Sequence, residues 1–251
     1  MEYVMDLHTH TLASGHGYST LAENIESAKK MGLKVLGYSE HATSMPGGPH
    51  PFYLENLKVV PRKYGNLALL CGIEANIMDT EGHIDVGEST ILKSLDYVIA
   101  SLHSPCIEPG TMEENTNALL GAMRNPYVKI IGHPDDGRYP LDYERLVSGA
   151  MDHGVILEVN NTSLHPKSVR QGARENILKM LETCKQYRCP IIMGTDSHIC
   201  HQIGDFSRAV SLLELVDFPS ELVMNRDVKN LSKIVINDEV AARVCADLSE
   251  E

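Results

Sequence analysis

No stretch of eighteen or more apolar residues occurs in this 251-residue chain, which excludes a membrane-spanning helix. The first residues lack a basic segment followed by an apolar one, so no secretory signal is expected and the cytoplasm is the expected compartment. Cysteine is sparse and unpatterned. The six, at positions 71, 106, 184, 189, 200 and 245, form no CxxC pair, and a chain of this length needs no disulfide staples. They read as reduced, mostly buried thiols, with Cys71 inside an apolar run and Cys200 close to a group of histidines. Positive charge is scarce too: 22 Lys and Arg face 34 Asp and Glu, a net charge of −12, which argues against a groove for duplex nucleic acid. It leaves room for a small phosphorylated substrate, because a cluster of metal ions makes one pocket strongly positive on an acidic protein. No Pro/Ser-rich or charge-rich seam divides the chain, and no repeat or low-complexity tract interrupts it, so one domain over residues 1–251 is expected. Tryptophan is absent and phenylalanine occurs three times, whereas histidine occurs twelve times.

What is present is a regular alternation. Short apolar runs at residues 3–7, 34–38, 67–73, 96–102, 128–132, 155–159 and 190–194 read as strands. Helical stretches lie between them, at about 20–31, 53–62, 113–124, 141–153, 173–187 and 206–216, with further helix through the last two dozen residues. Thr20 and Glu23 form the pattern of a capping box, and Gly32 reads as that helix's stop. Residues 42–51 are a loop by their Pro and Gly content, and 76–87 a short excursion or hairpin. Strands apolar on both faces and alternating with helices imply a parallel sheet covered by helices. Seven such units without a linker predict an α/β fold closed into a seven-stranded barrel.

In parallel barrels the reactive residues sit at the C-terminal ends of the strands. Here those ends read Asp6-Leu7-His8-Thr9-His10, Ser39-Glu40-His41, Gly72-Ile73-Glu74, Ser101-Leu102-His103, Gly132-His133-Pro134, Glu158-Val159-Asn160-Asn161 and Gly194-Thr195-Asp196-Ser197-His198. One histidine at a strand end is ordinarily a hydrogen-bonded polar residue; the set is what points to metal. Side chains at i and i+2 of an extended segment point the same way, so His8 and His10 can hold one ion from one side. Asp196 and His198 repeat that spacing at the far end of the chain, and in a closed barrel the first and last strands are neighbours. Glu74 has two oxygens and can bridge two ions. A set rich in imidazole with few carboxylates favours zinc, with manganese or iron also compatible.

Taken together and in order, DLHTHT, SEHA, GIEAN, ASLH, IGHP and GTDSH resemble the PHP (polymerase and histidinol phosphatase) superfamily, and most closely its YcdX-like phosphatase branch. The resemblance covers nearly the whole chain. It implies a distorted seven-stranded (βα)7 TIM-like barrel with a trinuclear metal centre, commonly zinc, at the C-terminal mouth of the strands. Position by position, it implies one ion on His8, His10, Glu74 and Asp196, a second on His16, His41 and His198, and a third on Glu74, His103 and His133. His16 lies in the loop ASGHGYST and comes from the resemblance alone. His50 and His165 read as loop residues that could line a substrate entrance, His201 as a candidate neighbour of His198, and His83 and His153 carry no assigned role.

The reaction expected is phosphomonoester hydrolysis, with Glu74 and Asp196 holding the ions that activate a hydroxide. Clustered ions ~3.5–4 Å apart can bridge a water, lower its pKa and neutralise phosphate oxygens. Arg138 and Arg170 are candidate phosphate clamps, since guanidinium matches phosphate bidentately; surface arginine is the competing reading for both. Asp135 and Asp136 could orient a ligand histidine or simply shape a turn. A phosphodiesterase or exonuclease, a histidinol-phosphate phosphatase, a non-catalytic metal-binding module and a metal-dependent amidohydrolase are the alternatives. The charge and the lack of a basic groove disfavour the nuclease, the complete ligand set disfavours the degenerate module, and no strand end offers the lysine an amidohydrolase wants. The expected partner is a small phosphorylated molecule, with no duplex nucleic acid and no membrane; self-association is left open.

Overall fold

The computed structural model describes residues 3–87 and 90–249. In chain order the elements are β1 (Met5–Asp6), α1 (Leu21–Lys30), β2 (Val35–His41), α2 (Pro51–Glu55), β3 (Lys63–Tyr64), β4 (Leu67–Asn76), α3 (Thr90–Ser94), β5 (Tyr97–Ser101), α4 (Met112–Met123), β6 (Val128–Ile131), α5 (Tyr143–His153), β7 (Ile156–Asn160), α6 (Ala173–Tyr187), β8 (Ile191–Gly194), α7 (Ser207–Leu215) and α8 (Asp238–Ser249). Seven strands run parallel in the order β1-β2-β4-β5-β6-β7-β8, and β3 pairs antiparallel with β4. This is the expected α/β barrel of seven strands, nearly closed, with one seam between β8 and β1. No described helix is long and apolar enough to cross a membrane.

Local sequence explains most of these elements. Thr20 and Glu23 form the capping box on α1, and Gly154 in the left-handed region stops α5. The helix expected over 53–62 is shorter. It ends at Glu55, passes through a 3-10 turn at Asn56–Val59, and gives way to β3. Pro61 cannot continue the helical hydrogen bonding, and Gly65 (φ 65°) permits the tight turn that folds β3 onto β4. The 76–87 excursion is present as a narrow hairpin around the Ile77–Ile84 bridge. Helix α3 has no counterpart in the expected pattern. The expected C-terminal helix divides into 3-10 turns and α8, and residues 250–251 lie outside those described.

Alternate residues along each strand face the barrel interior, and along one such row chemistry changes with height. On β4 the row reads Ala68, Leu70, Gly72, Glu74, Asn76; on β2, Val35, Gly37, Ser39, His41; on β7, Ile156, Glu158, Asn160. The lower positions pack with Met5, Tyr97, Ile99, Ile130 and Ile192 into one apolar cluster, separate from the cluster between barrel and outer helices. Residues of the C-terminal segment, among them Met224, Leu231, Val235 and Val244, belong to the same interior cluster and close the barrel's lower end. Tyr97 is fully buried and donates its hydroxyl to the Leu7 carbonyl at 2.6 Å. A Cβ on Gly72 would fall 2.3 Å from its ring, and one on Gly37 2.3 Å from its hydroxyl, so the two glycines make the space that tyrosine fills. The polar half of the interior therefore rests on a packed apolar floor.

The seam is closed by side chains as well as backbone. The buried amide of Asn225 accepts from Met193 N–H (2.7 Å) and donates to the carbonyls of Met5 (2.9 Å) and Met193 (2.8 Å). Above it, Thr195 donates its hydroxyl to Asp6 at 2.6 Å, and a single parallel bridge joins Thr9 to Ser197. Strands one and seven of the expected barrel are thus neighbours, but through stitches instead of a continuous ladder.

Candidate metal centre at the strand ends

The strand ends deliver eight side chains to one place, and His16 joins them from the loop before α1. Glu74, fully buried on β4, stands at their middle. Its Oε1 lies 2.8 Å from His133 Nε2 and 3.2 Å from His103 Nε2. Its Oε2 lies 3.4 Å from His8 Nε2, 3.5 Å from His10 Nε2 and 2.9 Å from His41 Nδ1. The two oxygens therefore address two different sets of imidazoles, which is the geometry of a bridging carboxylate. Asp196 Oδ1 approaches His10 Nε2 at 3.3 Å and His8 Nε2 at 3.7 Å, so the two i,i+2 pairs do meet across the seam.

Four groups have potential ligand atoms within 4.8 Å of one another: His8, His10 and Asp196; His8, Glu74 and His133; His41, Glu74 and His103; and His10, His41 and His198. None of these four includes His16. That residue joins the cluster through His41, Nε2 to Nε2 at 3.2 Å, and its ring stacks on His198 with centroids 4.6 Å apart. Whether the residues fit a cation can be judged from their unused atoms. His8 Nε2, His10 Nε2, His198 Nε2, His41 Nδ1 and Glu74 Oε2 are all buried without a hydrogen-bond partner. Buried polar atoms are almost always paired, and five orphans gathered in overlapping groups at one mouth are what a set of cation ligands looks like.

A second layer fixes the rings. Glu158 accepts from His8 Nδ1 at 2.7 Å, Asn76 Oδ1 holds His103 Nδ1 at 2.7 Å, and the Asp196 carbonyl holds His198 Nδ1 at 3.0 Å. His10 Nδ1 meets Ser14 Oγ at 3.1 Å, and that hydroxyl donates to Glu40 at 2.5 Å. Because Ser14 spends its proton on Glu40, it accepts from His10 Nδ1–H, which leaves Nε2 with its lone pair facing the cluster. Each partner thus selects the tautomer that offers Nε2 outward. Asn76 is itself held by Asp85 through its backbone N–H and side-chain amide, both at 2.8 Å, which gives the 76–87 hairpin a structural purpose. Glu40 and Glu158 were visible at strand ends in the sequence and Asn76 closes the GIEAN motif, but Ser14 and Asp85 carried no signal there.

Protonation follows the same pattern at His10, His103 and Glu74, whereas at His8 burial opposes the charged form but Glu158, Glu74 and Asp196 outweigh it and hold the imidazole well above its usual range. Burial and the neighbouring His198 and His41 hold His10 well below the usual histidine range, and burial takes His103 down to about 4. Burial opposes ionisation of Glu74, but His103, His8 and His41 outweigh it and hold the carboxyl well below its usual range. Neutral imidazole and ionised carboxylate are the forms that bind cations. Backbone strain also concentrates here. Of the four described non-glycine residues with positive φ, His133 (29°) and Asp196 (51°) belong to the cluster.

Both candidate clamp arginines border a cavity of about 400 Å³ at the mouth, together with His16, His103, Lys167 and His198. Arg170 reaches Asp196 at 2.9 Å, Ser163 at 3.0 Å and Asn160 at 3.2 Å, so much of its fork is spent holding Asp196. Arg138 is tied to Asp136 through Nε and NH2. Asp136 therefore serves Arg138, and neither oxygen of buried Asp135 accepts a hydrogen bond, so the expected histidine-orienting role falls to Glu158, Asn76 and Ser14 instead. Lys167 was not singled out in the sequence. His50 caps α2, His83 pairs with Asp79, and His201 is exposed.

Residues 6–160 match the family model for the PHP domain. The chain is 48% identical over 231 residues to a probable phosphatase of Clostridium novyi, covering 92% of this chain and 93% of that one. A probable phosphatase of Clostridium acetobutylicum gives the same identity and coverage, and one from Caldanaerobacter subterraneus is 44% identical over 93% of this chain and 91% of its own. Among solved structures, histidinol phosphate phosphatase from Lactococcus lactis, complexed with zinc, L-histidinol and phosphate, superposes with a TM-score of 0.59 at 18% identity, covering 87% of this chain and 95% of that one.

Proposed function

The chain belongs to the PHP family, and from that premise we propose that it is a metal-dependent phosphomonoester hydrolase with a trinuclear centre. The observation that carries this reading is that buried, unpartnered ring nitrogens of His8, His10, His41 and His198 gather with the unpartnered Oε2 of Glu74 at the mouth of the barrel. In this reading His8, His10, Glu74 and Asp196 hold one cation, Glu74, His103 and His133 a second, and His16, His41 and His198 a third. Zinc suits the set best, with manganese and iron as alternatives. Bound divalent cations supply Lewis-acid activation of water and neutralise phosphate oxygens.

The chain's own residues do the rest. Glu74, whose two oxygens face different imidazoles, would serve two cation positions. Glu158, Ser14 and Asn76 hold the imidazoles in register, and Arg170 keeps Asp196 ionised and aimed. Arg138 and Lys167 border the space a small phosphorylated substrate would enter. The mouth cavity of about 400 Å³ suits a small molecule better than a polymer.

The test is an activity panel on metal-loaded protein using p-nitrophenyl phosphate, bis-p-nitrophenyl phosphate, histidinol phosphate and an acyl amide. Turnover of the monoesters with little of the diester or amide is expected; failure on every monoester would sink the proposal. Glu74→Ala and His8→Ala should each lower kcat by about a hundredfold or more while the circular dichroism spectrum is kept. Elemental analysis finding fewer than two ions per chain would overturn the trinuclear assignment.

A further inference from the structure

The mouth cavity adjoins a second one of about 620 Å³, and the two share Ser168 and Arg170. Charge along their common wall is inverted relative to the molecule. The chain as a whole carries 22 Lys and Arg against 34 Asp and Glu. The two cavities together are bordered by Arg138, Lys167, Arg170, Arg174 and Arg208, against Asp136, Glu175 and Asp196. Two of these cations are already matched, Arg138 by Asp136 and Arg170 by Asp196. Among the described residues, Lys167, Arg174 and Arg208 have no carboxylate partner, and Glu175 is the one acid on these walls without a cation.

The wall is also built to stay in place. Arg170 clamps the loop bearing Lys167 to Asp196 and Asn160, and His165 Nδ1 accepts from Lys167 N–H at 3.1 Å. Asn161 Oδ1 accepts from the backbone N–H groups of Arg208 and Ala209, both at 3.0 Å, which pins the start of α7 beside the strand end. Unmatched cations on anchored backbone, Lys167 at the mouth cavity and Arg208 at the cavity beside it, attract a negative group and repel a positive one on an otherwise acidic protein. In the mouth cavity, by contrast, both bordering carboxylates are engaged by arginine, so nothing there is free to receive an ammonium.

Resting on the phosphatase reading, we propose that the substrate's leaving group carries a second anionic group, a carboxylate or another phosphate, seated along the wall from Lys167 to Arg208. A leaving group that carries an ammonium is disfavoured by the same wall.

Four esters of equal chain length decide the matter on metal-loaded protein: propyl phosphate, 3-aminopropyl phosphate, 3-phosphonooxypropanoate and propane-1,3-diyl bisphosphate. A hydrogen bond to a charged group corresponds to about a tenfold effect. The two anionic esters should therefore show KM about tenfold below propyl phosphate, with the amino ester no better than propyl phosphate. Raised salt should shrink the gap, and the double variant Lys167→Ala/Arg208→Ala should erase it. The carboxylate and phosphate arms identify which anion the wall prefers. An amino ester matching the anionic ones, or a preference untouched in the double variant, would overturn the proposal. Calorimetric binding of propane-1,3-diyl bisphosphonate against propylphosphonate separates the two readings. If no ester is hydrolysed but the bisphosphonate binds more tightly through Lys167 and Arg208, the phosphatase reading falls and the anionic subsite stands. Equal binding of the two phosphonates overturns the subsite.

Discussion

At the scale of single residues, the chain from Glu40 through Ser14 to His10 shows how little freedom a ligand imidazole has. Glu40 is fully buried and is met only by donors: the N–H and hydroxyl of Thr11, the hydroxyl of Ser14, and more distantly that of Tyr53. Ser14 Oγ also accepts the His41 N–H at 3.1 Å, so its one proton and both lone pairs are committed. Glu40→Gln places an NH2 group among donors and frees Ser14 to donate toward His10, which would move the His10 proton to Nε2. Loss of such a second-layer partner is expected to weaken cation binding by roughly 10–100-fold. Competition against a chromophoric chelator measures it, and unchanged affinity in both Glu40→Gln and Ser14→Ala would refute the relay. Cys106 offers a pH-dependent counterpart. Burial, aided by Asp85 and Glu74, pushes its thiol up to about 11. The neutral form is favoured, and only the thiolate is nucleophilic. Alkylation of Cys106 by iodoacetamide should therefore rise about tenfold per pH unit from pH 8 to 10; a plateau near pH 9, followed by peptide mass spectrometry, would contradict the assignment.

Among the elements, the seam matters most. Asn225 replaces a missing stretch of ladder between β8 and β1, and Ala at this position would strand the buried N–H of Met193 and the carbonyl of Met5. Unsatisfied buried groups cost ~1–3 kcal/mol each, so Asn225→Ala should lose about 3 kcal/mol. For a protein of this size that lowers Tm by roughly 10 °C; a shift of under about 2 °C in a thermal melt would show that the seam is held elsewhere. The element pattern itself was largely readable. The seven apolar runs became the seven parallel strands, because a strand buried on both faces leaves a contiguous apolar signature. The 53–62 segment misled because its helical periodicity runs into Pro61 and a hairpin that forms only once β4 is there to receive it. Asn225 of the seam and Ser14 of the second layer were opaque for a different reason. A serine or an asparagine in a loop has no periodicity, and its role exists only relative to a partner far along the chain.

For the whole molecule, the proposed ligands run from residue 8 to residue 198, so cation binding is expected to stabilise the closed barrel. Imidazoles and carboxylates packed this tightly repel or lie unpaired without a cation, so chelator-stripped protein should melt earlier. Free zinc at about a hundred times Kd adds roughly 2.7 kcal/mol per site. Restoring zinc should accordingly raise Tm by several degrees in a concentration-dependent manner, and an indifferent Tm would argue against a cation site in the folded barrel.

The sequence by itself determined the strand count, the parallel alternation, and the residue types waiting at each strand end, because burial and side-chain period are local properties of a chain. The motif sequence also carried the family, which the matches to probable phosphatases bear out. Tertiary structure alone decided the rest. It set which oxygen of Glu74 faces which imidazole, that His10 answers to Glu40 through Ser14, and that Arg170 is occupied by Asp196. It also placed Lys167, Arg174 and Arg208, none of them paired with a carboxylate, on the walls of two adjoining cavities. These are relations between residues separated by tens to hundreds of positions, and only closure of the barrel brings them within a hydrogen bond of one another.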